Sequence, residues 1–114
     1  AAAGLSGLLN SDWSSEQDLT RALKPILMRL CAHYLINEKK EKKALDPVAN
    51  FHLTNGARIE QLNWLGDTSE KGMKQSAGIM CNYYYELSEI EKNHEIYITE
   101  SEINASKNIK KWLK

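Results

Sequence analysis

The side chains in this sequence with chemistry to offer are three histidines, two cysteines and one dense run of lysines. His33, inside Cys31-Ala32-His33-Tyr34, flanks an apolar stripe and reads as structural. His94, in an acidic stretch, reads as an exposed structural residue. Cys31 and Cys81 are far apart with no CxxC, so neither a disulfide scaffold nor a zinc site is signalled. Cys81, near Tyr83, reads as packing rather than as a nucleophile. There is no GxSxG elbow, phosphate-binding P-loop or GxGxxG turn. His52 remains. No second His or carboxylate falls at metal-ligand spacing around it, so it does not read as a metal ligand.

The elements around His52 decide what it could act on. Asn55-Gly56 stands between Val48-Ala49-Asn50-Phe51-His52-Leu53-Thr54 and Ala57-Arg58-Ile59-Glu60-Gln61-Leu62-Asn63-Trp64-Leu65. Both runs read as extended, and Asn-Gly suits a two-residue type I′ turn, which needs positive φ at both central positions. The predicted unit is therefore a β-hairpin. In that register His52 faces Ile59, Asn50 faces Gln61 and Val48 faces Asn63, all on one side of the sheet. Ala49, Phe51, Leu53, Leu62 and Trp64 take the other. The first side gathers three amides and one imidazole, with no Lys or Glu. It reads either as a solvated hairpin face or as a hydrogen-bonding pocket, and a one-residue slip would exchange the two sides.

Helices flank this hairpin. Leu19, Leu23, Ile26, Leu27, Leu30, Cys31, Tyr34 and Leu35 recur at three- and four-residue intervals and predict a helix to about Ile36. Ser14 and Gln17 have capping-box spacing at its start, and Pro25 is expected to kink or split it. The opening stretch to Ser11 reads as a frayed helix or loop. The lysine-rich run at 38–43 reads as a solvated loop, or as a hold on the phosphates of an anionic ligand. After the hairpin, Asp67 and Glu70 predict a helix to about Leu87, with Gly78, Asn82 and Tyr85 on one face. Gly72, Ser76, Ala77 and Gly78 weaken that helix and mark a close approach of backbone or ligand. A last helix, capped by Thr99 and Glu102, would carry Ile98, Ala105, Ile109 and Trp112 as its stripe. The fold class expected is α+β: helix, β-hairpin, two helices. Two strands make no independently stable sheet, so the hairpin is expected to extend a sheet formed with other strands.

Composition bounds the partners. The 114 residues hold 15 Lys+Arg and 15 Asp+Glu, a formal charge of zero that offers no dominant electrostatic footprint for nucleic acid or anionic membrane. The hydrophobic share of 42% is that of a globular protein rather than a disordered one. No apolar run approaches the ~20 residues of a membrane span, and no secretory signal opens the chain. The sequence begins Ala1-Ala2-Ala3-Gly4 and reads as a cut from a longer, intracellular protein.

Long motifs carry a resemblance. Asp46-Pro47-Val48-Ala49-Asn50-Phe51-His52-Leu53-Thr54-Asn55-Gly56-Ala57, Asn63-Trp64-Leu65-Gly66-Asp67, Ser69 with Gly72, and Gly78-Ile79-Met80-Cys81-Asn82-Tyr83-Tyr84-Tyr85 closely resemble malonyl-CoA decarboxylases. The helix around Leu27-Met28-Arg29-Leu30-Cys31-Ala32 does so as well. The resemblance implies that residues 1–114 are the C-terminal segment of one catalytic domain of acetyltransferase-like (GNAT) fold. It implies malonyl-CoA as substrate, acetyl-CoA and CO2 as products, and no metal or organic cofactor. His52 matches the family's catalytic histidine in Asn-Phe-His-Leu and is expected to bind substrate as well. Tyr85 matches a tyrosine near the active site, expected either to donate to the malonyl carboxylate or thioester or simply to pack. Asn50 is expected to orient substrate or His52, from its strand parity. The family's partner serine and its cradle for the CoA pyrophosphate have no counterpart here. The segment alone is therefore expected to be inactive and to need the remainder of the same domain. The family is mitochondrial, peroxisomal or cytoplasmic, and homo-oligomers are possible partners. Two other readings stay open: a GNAT-fold acyltransferase using a different acceptor, and a non-catalytic segment serving folding or subunit contacts.

Overall fold

The computed structural model describes residue 13 and residues 16–114, so the readings placed on the opening stretch and on Ser14 lie outside the described residues. A long helix, α1 (Gln17–Ile36), leads into a two-residue antiparallel ribbon, β1 (Lys39–Lys40) and β2 (Lys43–Ala44). Helix α2 (Pro47–Thr54), strand β3 (Arg58–Asn63), helix α3 (Glu70–Ser76) and strand β4 (Met80–Tyr84) follow. Helix α4 (Ile90–Glu100), a short α5 (Lys107–Lys110) and a 3₁₀ turn (Lys111–Leu113) complete the chain. The α+β class holds. Helix α1 also stands as expected, and it runs through Pro25 without dividing. No described helix is long and apolar enough to cross a membrane.

The predicted hairpin is not where the Asn-Gly pair placed it. Residues 47–54 form a helix. Asp46 caps its start, the carboxylate accepting from the Ala49 N–H at 2.9 Å, and Pro47 occupies the first turn, where its missing N–H costs nothing. Asn55-Gly56 is the helix's stop signal rather than a strand-to-strand turn. Gly56 N–H donates to the Leu53 carbonyl at 3.1 Å and Ala57 N–H to the His52 carbonyl at 3.0 Å, with Gly56 at φ +89. That pair of bonds is a Schellman cap. An Asn-Gly dipeptide serves either structure, because both place a residue in the left-handed region.

The strand that does pair with β3 is β4, antiparallel, with Leu62 opposite Cys81 and Asn63 opposite Met80. The capping signal at Asp67 and Glu70 predicts residues 80–84 inside a helix running to about Leu87. That helix stops at Ser76. Ser69 caps it, accepting from Gly72 N–H at 3.1 Å, and the chain then passes through Ala77 (φ 53) and Gly78 (φ 78). Two consecutive left-handed residues end the helix and release the aromatic run to extend. Gly72 does mark a close approach, since a Cβ there would press into the Asp67 carboxylate and carbonyl. Further on, residues 90–95 are helical rather than an acidic loop. The segment around Ala105 is extended and bridges Ile59 in parallel, held by Ile59 N–H to the Asn104 carbonyl and Ser106 N–H to the Ile59 carbonyl, both 2.9 Å. The stripe predicted from Ile98 to Trp112 is thus split between two helices and a crossing segment.

One core joins these elements. Trp13, Leu23, Leu27, Met28, Ala32 and Leu35 meet Ala49 and Leu53 of α2, Ile59 and Leu62 of β3, Tyr97 of α4 and Ile109 of α5. The lysine run is held to α4 rather than left wholly in solvent. Lys43 Nζ donates to the carbonyls of Tyr97 (3.0 Å) and Ile98 (2.9 Å), and Lys39 Nζ to that of Ser101 (3.2 Å). These cations complete the negative end of the α4 dipole. Cys31 and Cys81 line an apolar cleft of about 530 Å³ between α1 and β4. Burial, with the electrostatic influence of nearby Asp46, pushes both thiols up to about 11.

Two outcomes follow from this packing. Gly56→Ala combines a left-handed backbone with a Cβ driven into the Ile90 carbonyl. It is expected to destabilise the protein by about 2–4 kcal/mol in denaturant titration. Cys31 and Cys81 are expected to resist iodoacetamide near neutral pH in the folded protein and to gain reactivity only as pH rises toward 11. The sign for stability is the same. The unfolded chain releases these protons nearer pH 9, so their contribution to stability is complete below that pH and is lost between about 9 and 11.

Candidate active site

Helix α2 presents His52 in its last turn, and β4 together with the residue just past its end brings a tyrosine to each of two sides of it. The Tyr85 hydroxyl lies 2.6 Å from His52 Nδ1. The Tyr83 ring stacks on the imidazole, with centroids 4.2 Å apart and planes 20° apart. Phe51 meets the imidazole edge-on at 5.2 Å and 81°. His52 and Tyr83 are half-buried, whereas Phe51 and Tyr85 are exposed at 62% and 40%, so the cluster opens to one side of the molecule. Among the described residues nothing hydrogen-bonds His52 Nε2.

Local sequence explains this placement. Asp46-Pro47 starts α2 and Gly56 stops it, so His52 sits near the C-terminal end of a helix of eight residues. Ala49 and Leu53, one turn apart, are buried and seat the helix on the core. Tyr83 and Tyr85, two residues apart on extended chain, lie on the same side. The β3–β4 register, with Ile59 opposite Tyr83 and Arg58 opposite Tyr84, fixes how far along α2 they reach. Arg58 is itself held by Glu60 at 2.6 Å and lies 4.6 Å from the Tyr84 ring centroid, pinning the end of the sheet.

His52 and Tyr85, singled out in the sequence, are therefore brought together, although by a helix and a strand rather than by the two faces first expected. Asn50 is not. Two helical positions separate it from His52, about 200° around the axis, and its Oδ1 accepts from the Tyr97 hydroxyl at 2.7 Å. Tyr97 in turn accepts from the Ala44 N–H at 2.8 Å, a chain that ties α2 and β2 to α4. Gln61 and Asn63 hydrogen-bond each other (3.0 Å), and Asn63 also donates to Asn82 (3.0 Å), away from His52. The amide face of the predicted hairpin thus dissolves, because 48–54 is not a strand. His94 caps α2 instead, its Nδ1 against the Thr54 carbonyl, and His33 Nε2 meets the Leu113 carbonyl at 3.2 Å. Tyr83 was missed at the sequence level. The signal that could have revealed it is the period-two spacing of Tyr83 and Tyr85 after Gly78.

The cluster can hold and orient a proton. The hydrogen bond at Nδ1 leaves Nε2 as the nitrogen without a protein partner among the described residues, and which nitrogen carries hydrogen is set by the partner of the other. Three or more His, Cys, Asp or Glu side chains do not converge anywhere among the described residues in a way that would hold a metal ion. Burial pushes the Tyr83 phenol well above its ordinary value, with the neighbouring Cys81 adding to the shift.

Comparison with known proteins places the whole chain. The family model of the malonyl-CoA decarboxylase C-terminal domain matches residues 1–114. Mitochondrial malonyl-CoA decarboxylase from Anser anser anser is 47% identical over 102 residues, which cover 90% of this chain and 20% of that protein. The Rattus norvegicus enzyme is 48% identical over 106 residues, 92% of this chain and 22% of that protein. Malonyl-CoA decarboxylase from Rhodopseudomonas palustris superposes with a TM-score of 0.89 at 44% identity, covering 95% of this chain and 25% of that one. The Agrobacterium vitis enzyme gives 0.88 at 43% identity, covering 94% of this chain and 27% of that one. The chain thus spans about a fifth of the length of these curated relatives and about a quarter of the solved ones. By its match from end to end, this chain belongs to the malonyl-CoA decarboxylase C-terminal domain family.

Proposed function

We propose that this chain supplies the proton donor of a malonyl-CoA decarboxylase catalytic domain, with His52 in that role. The observation that carries the reading is the Tyr85 hydroxyl 2.6 Å from His52 Nδ1, which leaves Nε2 to face substrate. Substrate would be malonyl-CoA. The bond between the carboxylate carbon and the α-carbon breaks, CO2 leaves, and the electron pair passes to the α-carbon and the thioester oxygen as an enolate. The His52 imidazolium, its Nδ1–H donating to the Tyr85 oxygen, gives its Nε2 proton to that carbon; acetyl-CoA forms, and the neutral imidazole left behind is reprotonated from solvent. Imidazoles have an unperturbed pKa of about 6.5 and serve this purpose near neutral pH. Hydrogen bonds to the enolate oxygen, which lower the barrier to losing CO2, would come from the remainder of the catalytic domain. That remainder, of GNAT-like fold, would extend the sheet begun by β3 and β4 and hold the CoA.

Asn50 has a supporting place in this reading. Through Tyr97 it helps seat the helix that carries His52, and it needs no contact with substrate. Lys39 and Lys43, engaged with the end of α4, are better suited to holding the fold than to meeting CoA phosphates.

The decisive measurement is CO2 release from malonyl-CoA by the full-length protein. His52→Asn is expected to lower kcat by about 10²–10⁴-fold while the protein still folds and binds CoA. Undiminished turnover would return His52 to a structural role. Acetyl transfer to an amine without CO2 release would select the acyltransferase reading instead. Tyr85→Phe removes only the hydroxyl at Nδ1. It is expected to reduce kcat by about tenfold with little change in KM, since one neutral hydrogen bond is worth about 0.5–1.5 kcal/mol. Steady-state kinetics of that single variant check it.

A further inference from the structure

The stack of Tyr83 on His52 is required neither by the proton transfer nor by the Tyr85 contact. An imidazole held at Nδ1 alone keeps rotational freedom, because the torsion joining the ring to its Cβ is broad. Rocking about the line from Nδ1 to the Tyr85 oxygen would swing Nε2 through an arc without breaking that hydrogen bond. What stops the arc in this structure is a second ring lying nearly parallel at 4.2 Å, with the Phe51 edge at 5.2 Å. We propose that Tyr83 is a positioning residue whose aromatic face fixes the plane of the His52 imidazole, so that Nε2–H is aimed at the reacting carbon.

This rests on the reading of His52 as proton donor and adds a requirement to it. A proton leaves an imidazole along the N–H bond, which lies in the plane of the ring. Covering one face of the ring therefore blocks no path for the proton, whereas tilting the plane moves the proton off its target. Misplacement of a reacting group by about 1 Å can cost about 10²-fold in rate. The Tyr83 ring is half-buried. It lines the cleft beside Cys81 and Cys31, and β4 pairing fixes its backbone opposite Ile59, which is fully buried. Its phenol, pushed upward by burial, stays neutral across the working range, so the ring facing His52 does not change character with pH. The ring, and not the hydroxyl, is the part that acts.

The test uses the full-length protein and three variants at this position, beside His52→Asn. Tyr83→Phe keeps the ring and is expected to retain kcat within about twofold. Tyr83→Leu and Tyr83→Met remove the flat face while keeping bulk, and are expected to lower kcat by about 10–100-fold with KM for malonyl-CoA nearly unchanged. Nitrogen-15 spectra of histidine-labelled protein provide a readout independent of turnover. The His52 ring resonances should stay in place in Tyr83→Phe and shift or broaden in Tyr83→Leu, as the ring gains freedom. Wild-type kcat together with unmoved His52 resonances in a folded Leu or Met variant would overturn the inference. So would a Phe variant as impaired as the Leu variant, because the hydroxyl would then be the working part. Should Leu and Met both fail to fold, the Phe variant and its spectrum still decide. Failure of the underlying reading looks different: His52→Asn would then turn over normally, whatever Tyr83 does to the ring.

Discussion

Gly56 is the point on which the arrangement turns. It ends α2 one turn after His52, starts the path into β3, and lies so close to α4 that a single added carbon would meet the Ile90 carbonyl. The buried Asn93 side chain donates to the Gly56 carbonyl at 3.1 Å and accepts from Asn104 at 3.0 Å. One glycine and one buried amide thus join a helix terminus, a strand start, a packed helix and the returning segment. A buried amide left without those partners would be costly, so the junction specifies its own geometry. Helix α2 has only eight residues, too few for helical stability in isolation. Its two caps and the burial of Ala49 and Leu53 hold it, and His52 inherits its position from them.

Much of the site was legible in the residues, and the errors have a common physical origin. Helix α1 announced itself by a long apolar stripe, and His52 stood out because the other histidines had ordinary structural explanations. Residues 47–54 suggest a strand because Val, Phe and Thr favour extended chain, while Asn-Gly satisfies a helix stop as readily as a hairpin turn. Asp46-Pro47 was the arbitrating signal: an acceptor side chain followed by proline is the start of a helix. The same weakness explains residues 80–84. Asp67 and Glu70 suggested one long helix, but consecutive left-handed residues at Ala77 and Gly78 broke it, and no local preference of Ala for that conformation could have been anticipated.

The misreadings moved residues between elements without dispersing the chemistry. His52 and Tyr85 still meet, because pairing across β3 and β4 brings positions 33 residues apart into one cluster. Asn50 was lost from it for a geometric reason. In a strand, residues two apart share a side; in a helix they diverge by about 200°. Its amide went instead to Tyr97, and that link does as much to seat α2 as a substrate contact would have done for catalysis.

The connection between β3 and β4 has a kinetic meaning. Residues 64–79, including α3, separate the strands, so pairing them requires closing a sizeable loop before any cross-strand contact rewards it. His52 lies on a short helix closed by local hydrogen bonds, whereas both tyrosines reach it only through that long-range pairing. The imidazole is therefore exposed and unaligned in any partly folded molecule, and it acquires its partners at the same moment as the sheet. The site is therefore complete only when the pairing of β3 with β4 is. The end of β4, beside exposed Tyr84 and Tyr85, is consequently where a local opening would dismantle it while the core remains intact.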